Sequence, residues 1–161
     1  MLVPSAAAGM EAAGIHTGFF PGPGDRESTP GEEYFDSGAP GIVDVIRELT
    51  TEFTLPAGDS WAPLLARWPS PEGELVQRSG LGTEVEWYAR CRWEGAWLRA
   101  HERGDATAAA AAARMLADPA STRYSAANDA GGVMAQPRAT AAAAAAGRPG
   151  PVRREHRANC I

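Results

Sequence analysis

Two helical patterns follow one another directly between residues 83 and 118, and that pair constrains everything around it. Thr83-Glu84-Val85-Glu86 opens the first pattern and Gly104-Asp105 breaks it. Ala106 to Ala117 runs on to a stop at Asp118-Pro119. The spacing predicts an αα-hairpin. Thr83 as N-cap with Glu86 three residues on makes a capping box. Glu86 and Arg90 add an i,i+4 pair with the acid first. Gly104 suits the left-handed C′ position that ends a helix.

The first of these helices has two apolar faces. At 3.6 residues per turn, Ala89, Trp93, Ala96, Trp97 and Ala100 share one face, and Trp87, Cys91 and Leu98 share another. Arg90, Glu94 and His101 form a charged strip between them, which reads as a solvated face. A helix with two apolar faces has two surfaces to cover. The Ala108–Ala113 run, with almost no side-chain bulk, would take the indoles of one face. The other face needs preceding segments of the chain or a partner. Trp87, Cys91, Leu98, Trp93 and Trp97 are therefore the candidate interaction or packing surface.

Upstream, Ile42, Val45, Ile46 and Leu49 fit the i, i+3, i+4, i+7 template of a helix. Thr51–Leu55 alternates, and Pro56 pushes Leu55 to extended geometry. Asp59-Ser60 caps a second short helix, Trp61 to Trp68, with Trp61, Leu64, Leu65 and Trp68 as its apolar face. Leu75-Val76 is a brief extended piece. Thr29-Pro30 would start a helical turn through Phe35, ended by Ser37-Gly38. Before that, the glycines and prolines of Gly18–Gly24 block regular structure, with Phe19 and Phe20 as its only anchors. After Pro119, residues 120–138 lack periodicity. Ala139–Ala146 is an isolated alanine run, and helices this short are marginal in water.

The fold expected is thus mostly α: a small helical domain over 40–118 centred on the hairpin, with two short preceding helices. A disordered acidic arm (1–39) precedes it, and a disordered Ala/Pro/Arg-rich tail (119–161) follows. Residues 1–60 set ten acids against Arg26 and Arg47, whereas the tail sets six Arg against Asp129 and Glu155. Six scattered arginines are not the basic field that nucleic-acid binding needs.

Composition excludes several chemistries. The chain has no lysine, so it has no phosphate-loop lysine, no kinase-type strand lysine and no Schiff base. Cys91 and Cys160 make no disulfide framework, and Cys91 reads as a small core residue. No spacing such as Cys-x-x-Cys or His-Glu-x-x-His marks a metal site. Gly58-Asp59-Ser60 resembles the nucleophile signature of the GDSL hydrolases over three residues, with Trp61 in the fourth place. That family's later Asp-x-x-His pair has no counterpart in the chain. The run from Trp93 through Gly104-Asp105 is similar to one helix–turn–helix unit of tetratricopeptide arrays, but no repeat period accompanies it. No cofactor is implied.

These readings favour a non-enzymatic interaction or oligomerisation module whose partner is a protein or a second copy. One alternative is a small-molecule-binding or enzymatic domain built around the tryptophans between 61 and 97. Another is an accessory domain of a membrane-attached or exported protein. No stretch reaches the roughly 18 apolar residues of a membrane span, and no basic residue precedes Arg26 as a signal peptide would require. The expected location is cytoplasmic by default.

Overall fold

A computed structural model describes residues 33–127, 129 and 132–160. The chain is mostly helical and divides into two compact units. The first unit comprises the described residues up to Glu52 together with Trp61–Gly82. The second comprises Phe53–Ser60 and everything from Thr83 onward.

In the first unit, strand β1 (Tyr34–Asp36) pairs antiparallel with β2 (Leu75–Gln77), with Phe35 opposite Val76. The register is fixed at both ends. Ser37 N–H donates to Glu74 O at 2.9 Å, and Arg78 N–H donates to Glu33 O at 2.8 Å. The helical turn expected through Phe35 is therefore a strand. Its partner lies some forty residues on, and local pattern does not reveal such a pairing. The rest of that expected turn, with Phe19 and Phe20, lies outside the described residues.

Helix α1 (Ile42–Thr50) buries Ile42, Val45, Ile46 and Leu49, the stripe its spacing predicts. It packs on α2 (Ala62–Leu65). Only Leu64 of α2 is buried, and neither Asp59 nor Ser60 caps it: Trp61 holds the N-cap position, without a side-chain cap bond. Helix α3 begins at Arg78, whose guanidinium pairs with Glu48 of α1 at 3.0 Å.

Because α3 runs from Arg78 to Glu102, Thr83 lies inside it rather than at its cap. The chain stays helical through Gly80 and Gly82 despite their cost. The other end forms as expected. Gly104 has φ +69, Gly104 N–H donates to His101 O, and Asp105 N–H donates to Ala100 O at 2.9 Å. That is a Schellman motif. Asp105 then caps α4 (Ala106–Ala117), its carboxylate accepting from Ala108 N–H at 2.9 Å.

The largest departure from sequence expectation lies beyond Pro119. The segment read as a disordered tail holds a 3-10 turn (Pro119–Thr122) and helices α5 (Arg123–Ala127), α6 (Ala135–Ala145) and α7 (Pro149–Asn159). The backbone of α4 packs against α6, and that of α6 against α7. Both α4 and α6 present alanine, so their axes approach closely. An alanine run that is marginal alone becomes a helix when a second one covers it. One hydrophobic cluster joins Trp97 and Leu98 of α3 to Ala112, Ala113 and Leu116 of α4, Ala141, Ala143 and Ala144 of α6, and Val152 of α7. Among the described residues no helix is long and apolar enough to cross a membrane.

Candidate functional site

The unusual feature of the second unit is polar. Glu86, Arg90 and Glu94 step along α3 at four-residue intervals, which stacks them on one face. They are 1%, 2% and 1% exposed. The strip read as solvated is therefore inside the protein for its Glu94 and Arg90 part. Burying ionised groups is costly unless each is paired and hydrogen-bonded, and the folded tail provides the partners.

Glu86 accepts from the backbone N–H of Tyr124 at 2.7 Å and of Ser125 at 3.1 Å, and from the Ser125 hydroxyl. It thus caps the start of α5, where a carboxylate is favoured. Arg90 does the converse work. Its Nη1 donates to Leu116 O at 3.3 Å, near the end of α4, and its Nη2 donates to Pro137 O at 2.7 Å. Its Nε faces Glu94 Oε1 at 3.3 Å. One arginine thereby holds α3, α4 and α6 together.

Glu94 is the least satisfied of the three. Oε1 has the charge of Arg90 opposite but no hydrogen bond. Oε2 lies 3.9 Å from His156 Nδ1 and 3.7 Å from Cys160 Sγ. Burial pushes the Glu94 carboxyl up to about 7; Arg90 pulls it back and Glu155 adds to the rise. Burial likewise lowers Arg90 from its ordinary value, against the pull of Glu94, Glu155 and Glu86. Burial, then the nearby Arg99 and Arg92, lower His156. Glu155 is itself buried but satisfied, accepting from Gln136 Nε2 at 2.7 Å and Asn159 Nδ2 at 2.8 Å.

Cys91 and Cys160 form a disulfide, with Cα atoms 5.4 Å apart across a separation of 69 residues. The reading of Cys91 as a lone core thiol is corrected. The bond fastens the end of α7 to the middle of α3, beside Glu94. Gly95 lies under the same region: a Cβ there would meet His156 Cε1 at 3.4 Å and an Arg99 nitrogen at 3.2 Å, a tight but adjustable fit.

The other expected surface residues fall in different places. Trp97 is 1% exposed and lies in the core, with Leu98 buried in the same cluster. Trp97 also stacks on His101, ring centroids 5.0 Å apart. Trp93 is half-buried against that cluster and donates its indole N–H to Thr54 O at 2.7 Å. Trp87 is half-buried. The Gly58-Asp59-Ser60 stretch is used structurally: Ser60 O accepts from Tyr88 Oη at 2.9 Å, and Asp59 lies 3.8 Å from Arg99. A cavity of about 220 Å³ lies over Arg90, lined also by Leu116, Pro119, Thr122, Met134 and Pro137. No tryptophan lines it, and it is smaller than the roughly 300–1,000 Å³ of small-molecule pockets.

The Glu94 carboxyl has a pH consequence. Its folded value of about 7 lies above the ordinary 4.5. Between these, the folded protein holds a proton that the unfolded chain has released. Stability from this group is therefore highest below about pH 4.5, falls as pH rises towards 7, and levels off above. The slope is at most about 1.4 kcal/mol per pH unit for one proton. His156 acts the other way below its ordinary 6.5, because its folded value is lowered. Urea unfolding from pH 5 to 8 should show wild type losing stability relative to Glu94→Gln. Parallel curves for the two proteins would refute the buried, proton-holding carboxyl.

Sequence reasoning missed Glu86, His156, Glu155 and Cys160. The available signal was the Glu86–Arg90–Glu94 spacing itself, three charges stacked at i,i+4 with nothing local to say which way they face. The chain matches no protein-family model, and comparison with curated proteins and with solved structures finds no match.

Proposed function

We propose that this chain serves as a non-enzymatic accessory domain of an exported or membrane-attached protein and works in an oxidising compartment. The observation that carries this reading is the Cys91–Cys160 disulfide. Disulfides persist outside the reducing cytosol and are rare within it. The bond is also placed as a structural staple, clamping the last helix onto the longest one. This supports an exported location over the cytoplasmic default.

The reading as a docking module rested on an apolar face of α3 left without a cover. Leu98 of that face packs with α4, α6 and α7, and Cys91 is bonded to Cys160. For these two residues the chain's own C-terminal helices supply the cover, while Trp87 of the same face is half-buried. Trp97 is core and the cavity over Arg90 is small and lined by no tryptophan, so neither adds to a reading as a ligand groove.

The test is the redox state in living cells. The full gene product, expressed in its own host, is treated with a membrane-permeant alkylating agent before lysis and read by mass spectrometry. The proposal expects Cys91 and Cys160 to stay unlabelled until a reductant is added. Full labelling of both thiols in untreated cells would remove the ground for an oxidising compartment.

A further inference from the structure

Two spacings that mean little separately meet in the fold. Cys91 and Glu94 are i,i+3 on α3, and His156 and Cys160 are i,i+4 at the end of α7. Helix geometry sets each pair on one face, and the disulfide holds the two faces together. One ligand atom from each of Glu94, His156 and Cys160 lies within 4.8 Å of the others. Cys91 Sγ is bonded to Cys160 Sγ and so adjoins this cluster. His156 Nδ1, 3.9 Å from Glu94 Oε2, is a buried atom without a hydrogen-bond partner, and such an atom in a folded protein calls for an explanation.

We propose that reduction of the Cys91–Cys160 bond opens a site for one Zn²⁺, with Cys91, Glu94, His156 and Cys160 as ligands. The donor set is two sulfurs, one imidazole nitrogen and one carboxylate oxygen, which suits four-coordinate zinc. Two ligands from α3 face one from α7 and one from its C-cap, close to the facing-helix arrangement used for metal sites in helical bundles. Arg90, facing the other Glu94 oxygen at 3.3 Å, orients the carboxylate and neutralises the excess negative charge that two thiolates and a carboxylate place around a divalent ion. With Zn–S bonds of about 2.3 Å the two sulfurs must separate, and Cys160, beyond the last turn of α7, is placed to move.

The chemistry balances with a named reductant. A thiol or phosphine gives two electrons, the S–S bond breaks, and each sulfur takes a proton. Two thiols are oxidised to their own disulfide, or a phosphine takes oxygen from water. On binding Zn²⁺ the two cysteines release those protons to solvent. In an oxidising compartment the site stays closed as the disulfide. This inference concerns what a reductant opens and does not rest on the compartment.

The test uses the purified full chain, reduced with tris(2-carboxyethyl)phosphine, freed of reductant without oxygen, and titrated with Zn²⁺ against a chromophoric chelator. Co²⁺ in parallel reports geometry by its visible absorption. Reduced wild type should bind one Zn²⁺ and give a tetrahedral cobalt spectrum, and the oxidised protein should bind none. Glu94→Gln and His156→Asn should each weaken binding by at least about tenfold, with far-UV circular dichroism confirming that both stay folded. His156 is partly exposed, so its variant tests the site even if the Glu94 variant is unstable. Equal affinity in both folded variants, or no binding by reduced wild type, would overturn the proposal. Neither result bears on where the protein resides, which alkylation in cells decides.

Discussion

Arg90→Met will lower the unfolding free energy by about 3–5 kcal/mol at pH 8, the usual penalty for removing one partner of a buried ion pair. The side chains are similar in length, so lost packing contributes little. Two separate losses are involved. Leu116 O loses its buried side-chain donor and Pro137 O keeps only its helical N–H, together costing about 1–3 kcal/mol. Glu94 loses the cation opposite Oε1 and must take up a proton to remain inside. The two losses separate by pH. At pH 5.5 Glu94, with its folded value of about 7, already carries a proton in wild type. There the penalty should shrink to what the two carbonyls account for. Adding Glu94→Gln to Arg90→Met should recover stability at pH 8 and have little effect at pH 5.5, a coupling that a double-mutant cycle reads directly. A penalty under about 1 kcal/mol at both pH values would mean that Arg90 does not join the three helices.

The inward turn of that arginine also shows where sequence reasoning reached and where it stopped. Elements whose signals are local were legible. The stripe of Ile42, Val45, Ile46 and Leu49 faces inward on α1, Gly104 ends α3 with positive φ, and Asp118-Pro119 ends α4. Each depends on residues within one or two turns. The orientation of Glu86, Arg90 and Glu94 depends instead on which later segment lies across α3. Nothing near residue 90 says that a carbonyl from residue 137 will be 2.7 Å away. The same dependence hid α6. Thr140, Ala141, Ala143 and Ala144 are buried there, yet their own composition gives only a weak preference that packing on α4 converts into a helix. Once 119–161 is set aside as tail, the donors and acceptors it supplies vanish. A buried charged stripe then reads as a solvated one, and Cys91 loses the partner 69 residues away. One wrong assignment at the C-terminus therefore explains most of the site that was not seen.

Cys91→Ser with Cys160→Ser will cost roughly 4 kcal/mol, the loop-closure value for a loop of this length. The cross-link spans a separation of 69 residues, so much of the effect lies in the unfolded chain, which gains the freedom the bond removed. In the folded protein α7 keeps other attachments. Val152 stays in the hydrophobic cluster, Glu155 accepts from Gln136, and Arg153 pairs with Glu102 at 3.2 Å. The variant should therefore retain its near-UV circular dichroism at low denaturant while its urea midpoint drops, and its m-value should rise as a less restricted unfolded state exposes more surface. Domain stabilities run about 5–15 kcal/mol, so a loss of this size separates a domain that survives reduction from one that does not. Wild type treated with reductant and a zinc chelator should match the double variant, because both lack the same covalent bond and neither can bind metal. A midpoint unchanged in both would place the staple outside the stability of the fold, and α7 would then be held to α3 by packing alone.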